Sequence, residues 1–386
     1  MTDRPRLLYL ITEDWYFWSH RLDLARAARD AGFDVTIVTR VSDHGERIRR
    51  EGFRLIPISL LRRSLNPLRE LFAIAELVRI YRSSRPHLVH HVAIKPILYG
   101  SLAAWIVRVP AVLNAFAGLG YAFTEERVRV LRWSVKVTLK AVVRLSRSVV
   151  LVQNGDDKEL LVREGIVPAT RARMIAGSGV DVTAFSAQPT PSGIPIVLLP
   201  SRMLWDKGVG EFVEAARELE REGIKARFVL VGRRDEHNPA AIPRSCLTKW
   251  IREGAVEWWD HREDMPTVYQ TASLVVLPSY REGLPKVLLE AAACRKAIVT
   301  TDVPGCRDVV RQNVNGLLVP PRNSKALAEA IGKLLQDTPQ REAMAARGRE
   351  LAEKEWAAPI IIEQVLAIYR ELSGTGLWAQ HVHECA

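Results

Sequence analysis

Apolar positions along this chain fall into two patterns. Short, nearly unbroken apolar runs occupy residues 6–11, 34–39, 55–58, 88–91, 111–115 and 148–153. Between several of them lie longer stretches, at 19–31, 68–83 and 156–164, in which apolar residues return every third or fourth position. The short runs fit strands buried on both faces, and the longer period fits helices. Gly32 closes the first helix. Strands alternating with helices form parallel βαβ units. Residues 187–195 interrupt the pattern with three prolines, Ser192 and Gly193, and read as a linker. The pattern then restarts, with strands expected at 196–200, 227–232, 274–278 and 297–301 and helices at 210–222, 265–271, 285–294 and 324–335. This α/β order predicts two Rossmann-like, doubly wound domains, 1–186 and 196–357, facing across a cleft that holds the ligands. A last helix within 358–386 is expected to pack back onto the N-terminal domain.

Composition agrees with two cores: 386 residues, 48% hydrophobic. Cys246, Cys294, Cys306 and Cys385 form no C-x-x-C pair, so a disulfide framework or zinc site is not expected and a reducing cytoplasm is. The apolar start at Leu7 meets Glu13 and Asp14 too early for a secretory leader. The apolar run at 102–116, broken by Arg108 and Pro110, is too short to span a bilayer. Glu13 to Trp18, the loop expected after the first strand, carries bulky aromatics where a nicotinamide fold needs G-x-G-x-x-G, which disfavours that class.

Charge divides the chain. The net charge is +11, and all of it falls in residues 1–185, which hold 29 Lys and Arg against 18 Asp and Glu. Residues 186–386 balance at 26 against 26. A basic half calls for an anionic partner. From Arg127 to Arg147 there are seven cations and no acid. Arg129, Arg132, Lys136, Lys140, Arg144 and Arg147 recur every three or four residues, on one helical face, with Trp133, Val137 and Val143 alongside. That pattern fits a helix lying on an anionic membrane surface. No aromatic stacking motif or nucleic-acid module accompanies it, so nucleic acid is not expected.

Candidate chemistry concentrates in the second half. Glu282-Gly283-Leu284-Pro285 follows a strand and opens a helix, where free backbone N–H groups favour a phosphate. Glu290 interrupts an apolar helix, and a carboxylate buried there needs partners such as ribose hydroxyls. An N-terminal carboxylate with a salt-bridged core Glu would look the same. Arg202 and Lys207 follow the second domain's first strand, at the end where open sheets bind ligands. A departing diphosphate needs such cations.

These pieces resemble the retaining glycosyltransferases of family 4, with their two-domain GT-B fold, along nearly the whole chain. Ser201-Arg202, Lys207-Gly208, Val231-Gly232, and Glu282 and Glu290 eight residues apart carry the resemblance. Ser178-Gly179-Val180-Asp181 with Phe185 looks like the family's inter-domain turn, with Ser178 in place of Asn. The resemblance implies that Arg202 and Lys207 bind the donor diphosphate and that Glu282 contacts the transferred sugar. It also implies that Glu290 holds the ribose and that Gly283, Leu284 and Gly232 lie against the donor. Ser64-Leu65-Asn66-Pro67, Gly118-Leu119-Gly120 and the 204–209 and 232–236 segments are similar to bacterial N-acetylgalactosaminyltransferases acting on undecaprenyl diphosphate and to capsule and O-antigen transferases. The first loop departs from that pattern.

The implied reaction moves an N-acetylhexosamine from a UDP-sugar to a polyprenyl-diphosphate-linked saccharide, with retention, at the cytoplasmic face of the inner membrane. No Asp-x-Asp motif is present, and neither a metal nor a cofactor is expected. Acceptor candidates are Lys95, His91, Gly118 and His20, all after N-terminal strands, with Glu13, Asp14 and Arg21 nearby; a hydrogen-bonded structural role for His91 is the alternative. A sugar-nucleotide epimerase of the same fold would not need the basic helix. A non-catalytic membrane-binding protein would not need Glu290 beside an Arg/Lys pair.

Overall fold

The computed structural model describes residues 4–61, 66–119, 129–189, 192–236 and 238–374, with side chains from 134 onward in the helix that starts at Arg129. Ser64, Leu65, Gly120, Arg127, Cys385 and the side chains of Arg129 and Arg132 lie outside the described residues. The chain forms two compact units, Met1–Ser178 with Ile361–Ala386, and Gly179–Ile360.

In the first unit seven parallel strands line up as β3-β2-β1-β4-β5-β6-β7. They are β1 (Arg6–Glu13), β2 (Asp34–Arg40), β3 (Arg54–Pro57), β4 (Leu88–Val92), β5 (Ala111–Ala115), β6 (Val149–Val152) and β7 (Ala172–Met174). The crossovers carry α1 (Asp14–His20), α2 (Leu22–Asp30), α3 (Gly45–Arg50), α4 (Pro67–Ser84), α5 (Ile94–Val107), α6 (Arg129–Leu145) and α7 (Gly155–Arg163). β1 shows why the strands read as unbroken apolar runs. Leu7, Tyr9 and Ile11 enter one core with α2, whereas Leu8 and Leu10 enter another with α4 and α5. Both faces are covered, so Leu7 to Ile11 form an unbroken apolar run. On the second face α4 packs on α5, and α5 on α6.

α15 (Ala358–Ser373) joins the first core through Ile361, Val365, Ile368 and Tyr369. The Tyr369 hydroxyl lies 2.7 Å from that of Tyr9 and 2.6 Å from Nδ1 of the buried His90.

The second unit has six parallel strands ordered β10-β9-β8-β11-β12-β13. They are β8 (Ile196–Pro200), β9 (Arg227–Val231), β10 (Glu257–Trp258), β11 (Leu274–Leu277), β12 (Ala297–Thr301) and β13 (Gly316–Val319). Its helices are α8 (Val209–Arg221), α9 (Arg244–Arg252), α10 (Met265–Thr271), α11 (Lys286–Ala293), α12 (Cys306–Val309), α13 (Ser324–Gln336) and α14 (Thr338–Leu351). Val197, Leu199, Phe212, Leu230, Val276 and Val299 share one core with α13.

Several elements depart from the pattern reading. Residues 14–18 are not a loop: they form α1, because Phe17 is driven into the core with Tyr9 and Phe53. Asp14 is fully buried and accepts hydrogen bonds from the backbone of Ser42 (2.6 Å) and His44 (3.0 Å), and Glu13 is paired with Arg40 at 2.7 Å. Both are thereby committed to local structure. β7, β10 and β13 are too short to show a period, and α14 hides its apolar stripe behind buried Arg341, whose guanidinium donates to Leu334 O at 2.7 Å.

His91 is also buried, with both ring nitrogens used. Asn114 gives its amide group to Ser101 and Ser148 (2.9 Å each), which turns its carbonyl oxygen toward His91 Nδ1 at 2.8 Å. Nδ1–H therefore donates, and Nε2 accepts from Tyr81 at 2.9 Å. The expectation that His91 contacts an acceptor is corrected: it ties β4 to β5 and α4. Burial, opposed by the Asn114 bond, lowers its pKa to about 4. The unfolded chain, with histidine near 6.5, takes up a proton that the folded chain refuses. Stability present above that value is therefore lost as pH falls from about 6.5 toward about 4. Urea denaturation should show the wild type losing roughly 2 kcal/mol between about pH 7 and pH 5 through this group; His91→Gln should flatten that slope.

Candidate functional site

The second unit's strand order reverses between β8 and β11, so their crossovers leave in opposite directions and open a crevice at the strands' C-terminal ends. The chemistry-bearing residues lie there. After β8 the chain runs through Ser201 and Arg202, then a single 3-10 turn, Trp205–Lys207, then Gly208 and α8. Gly208 has φ +69°, and a Cβ on it would stand 2.1 Å from Pro278 O. Only glycine lets this turn press against the end of β11. The Tyr280 N–H donates to Asp206 O at 3.0 Å, fastening the two strand exits together. The result is an ion pair between Lys207 Nζ and Glu282 Oε1, on side chains largely withdrawn from solvent.

The exit of β9 supplies the next contact. Gly232, at φ +139°, lets β9 approach so closely that a Cβ there would lie 2.0 Å from Ser201 O. Beyond it, Asp235 accepts from Arg202 Nη1 at 2.7 Å. The loop after β11 is held from the other side, where Glu282 N–H donates to Pro304 O at 3.2 Å. Gly283 is buried, Leu284 half-buried, and Pro285 caps α11, whose first N–H groups have no intrahelical acceptors.

Glu290 lies one turn into α11, buried. The Tyr269 hydroxyl donates to its Oε2 at 3.0 Å, and Lys286 Nζ stands 3.8 Å from Oε1. Burial raises the carboxyl's pKa, opposed by Lys286 and the Tyr269 bond. Burial also pushes the neighbouring Cys294 thiol up to about 12, so it is a packed thiol and not a nucleophile. Among the described residues no cluster of His, Cys, Asp or Glu suits a metal ion. Arg202 and Lys207 are each neutralised by a carboxylate. An entering diphosphate can replace both carboxylates on those cations, freeing Glu282 and Asp235 to accept from hydroxyl groups.

In the first unit the remaining candidates follow three neighbouring strands, β1, β4 and β5. Lys95, at the start of α5, donates to Leu61 O (2.6 Å) and pairs with Glu70 (2.9 Å). Gly118, with φ +98°, follows β5. The Leu119 N–H next to it donates to the buried Asp157 carboxylate at 3.2 Å. His20 ends α1, stacked 4.3 Å from the Tyr16 ring with Nδ1 2.6 Å from the Ser19 hydroxyl. On α6, Lys136 meets Glu164 at 2.9 Å, and Lys140 lies over Gly165. Arg144 is exposed; Arg147, expected on the same helical face, lies instead beyond the end of α6 with φ +48°, also exposed. The stripe is therefore less uniform than its spacing suggests, because Glu164 reaches it from outside the helix.

Residues 6–149 match the family model "Glycosyl transferase 4-like", and residues 194–337 match "Glycosyl transferases group 1". This chain is a glycosyltransferase that joins a 4-like domain to a group 1 domain. A curated relative, the N,N'-diacetylbacillosaminyl-diphospho-undecaprenol alpha-1,3-N-acetylgalactosaminyltransferase of Campylobacter jejuni, is 28% identical over 90% of this chain and 94% of its own. Among solved structures, sucrose-phosphate synthase from Thermosynechococcus elongatus superposes with a TM-score of 0.78 at 21% identity, covering 96% of this chain and 99% of its own. Anabaena HepE in complex with UDP gives 0.76 at 18%, covering 95% and 100%. The fold of this glycosyltransferase is GT-B.

Three parts of the glycosyltransferase's crevice escape a reading by motif. Asp235 was visible only as part of a post-strand segment. Tyr269 sits on another helix, α10, with nothing in its spacing to link it to Glu290. The backbone of Pro304 comes from the exit of β12. If the turn at Gly208 sets the position of Lys207, Gly208→Ala should destabilise the second unit by at least about 2 kcal/mol through strain and the clash with Pro278. Thermal unfolding would read that loss, and a variant with unchanged unfolding would refute this account.

Proposed function

We propose that this glycosyltransferase moves a sugar, an N-acetylhexosamine, from a UDP-sugar to a polyprenyl-diphosphate-linked saccharide with retention of the anomeric configuration. The observation that carries the donor half of this reading is the convergence of Lys207, Glu282, Arg202 and Asp235 on the switch-point crevice. The Campylobacter jejuni relative's name supports the acceptor class, and the UDP bound by HepE supports the nucleotide.

In this mechanism Arg202 forks onto diphosphate oxygens and Lys207 supplies a point charge. The N–H groups of Gly283, Leu284 and the start of α11 add fixed dipoles. Glu290, aimed by Tyr269, accepts from the ribose hydroxyls. Glu282, displaced from Lys207, accepts from hydroxyls of the transferred sugar. The bond from C1 to the diphosphate oxygen breaks first, and the cations stabilise the charge that gathers on the leaving group. The acceptor hydroxyl forms its bond to C1 on the same face and gives its proton to a phosphate oxygen of the departing UDP. No protein nucleophile is needed. Lys95, Gly118 and His20 form the acceptor-facing set. The basic helix α6 favours work at the cytoplasmic face of the inner membrane.

Lys207→Ala should lower kcat/KM by a factor of roughly 100 to 1,000, the loss of one preorganised charge at the leaving group. Turnover near wild type with a UDP-sugar and a polyprenyl-diphosphate-linked acceptor would sink the assignment. Tyr269→Phe, which leaves Glu290 without its neutral donor, should weaken donor binding about fivefold with kcat little changed. The anomeric configuration of the product, read by NMR, tests retention.

A further inference from the structure

α4 presents an unusual outer face. Leu68, Leu71 and Phe72 leave 67%, 64% and 74% of their surface exposed, more than any other large apolar residue described. They recur at helical spacing with exposed Ala75, so they form one stripe and not scattered positions. The stripe continues toward the C-terminus as Arg79 and Arg82, both exposed, with Arg69 beside its start. Neighbouring α5 extends the apolar area with Trp105 and Ile106, 49% and 42% exposed. A groove of about 630 Å³ lined by Leu71, Ile74, Val78, Ile106, Arg79 and Arg82 joins the two helices.

The helix's two acids point elsewhere. Glu70 is held by Lys95 at 2.9 Å, and Glu76 accepts from the Ser59 N–H (3.1 Å) and hydroxyl (2.6 Å). Every charge left on the outer face is positive. A solvated helix face carries its acids outward and its large apolar residues inward; this one does the reverse. Exposed Leu, Phe and Trp beside exposed cations are what a surface of anionic headgroups over hydrocarbon recognises. An acidic protein partner would explain the cations, but not a Trp and a Phe placed over so open an area.

We propose that this face of α4, with Trp105 and Ile106 of α5, docks the enzyme on an anionic bilayer, with the Leu68–Phe72 turns entering the headgroup boundary. This surface is separate from the α6 stripe and stands even if α6 stays in solvent. Its consequence for the acceptor rests on the reading under Proposed function. Glu70, one residue from Leu71, holds Lys95, so the docked turns would lie beside a residue of the acceptor-facing set.

The test uses the full chain and vesicles of phosphatidylglycerol and phosphatidylcholine in a one-to-three ratio, with phosphatidylcholine alone as control. Co-sedimentation should show binding to the anionic vesicles that falls steeply with salt. The double variant Leu71→Glu with Phe72→Glu should bind at least tenfold more weakly, and Arg79→Glu with Arg82→Glu about as weakly. Both replace exposed side chains, and both should keep wild-type unfolding and wild-type transfer to a short-chain, water-soluble acceptor. Unchanged vesicle binding by either double variant overturns the docking face. So does wild-type binding that is equal on neutral vesicles, or a dimer in sedimentation equilibrium that the Leu71/Phe72 variant dissociates. Loss of transfer to every diphosphate-linked acceptor, with vesicle binding intact, would instead refute the function and leave the docking face standing.

Discussion

Lys207 and Glu282 lie 75 residues apart in sequence and touch in the fold. That ion pair depends on almost everything else in the second unit. It needs β8 and β11 side by side, a 3-10 turn tight enough to aim Lys207, and a glycine whose missing side chain lets the turn rest on Pro278. Each condition is a backbone constraint. The charges sit at the strands' exits because that is where a reversing strand order leaves a gap, and a gap between helices and loops is where an ionic ligand can still reach polar groups.

Neutralising each cation with a carboxylate holds the crevice's side chains in place. An unpaired guanidinium and ammonium set close together would repel and would draw in adventitious anions. Paired with Asp235 and Glu282, they stay positioned. In the proposed mechanism the carboxylates become available for hydroxyl groups once phosphate oxygens take their place, which suits a ligand that carries both a diphosphate and sugar hydroxyls. Glu290 follows the same logic in a drier setting, with Tyr269 supplying the one neutral donor that a buried carboxylate can keep without becoming committed to a strong ion pair.

The first unit uses its buried polar groups differently. His90, His91, Asn114 and Tyr369 bind strands to helices and face no ligand. Lys95 and the helical face of α4 meet through Glu70, which leaves apolar and cationic groups outward.

Strand and helix alternation, the parallel sheets and the cations and carboxylates after β8 and β11 were legible in the sequence. Burial on both faces leaves a periodic trace, and Lys207-Gly208 and Glu282 stand next to strands that can be recognised one at a time. Partnership was not legible. The spacing around His91 suits an active-site histidine as well as a core one, and only the positions of Asn114 and Tyr81 decide which. Asp235, Tyr269 and Pro304 reach the crevice from separate crossovers, and the inward turn of Glu70 and Glu76 on α4 is set by neighbours distant in sequence. The sequence by itself determined which groups are available, because composition and period are local. The tertiary structure decided which of them meet, because hydrogen bonds and ion pairs act over a few ångströms in space and carry no fixed separation along the chain.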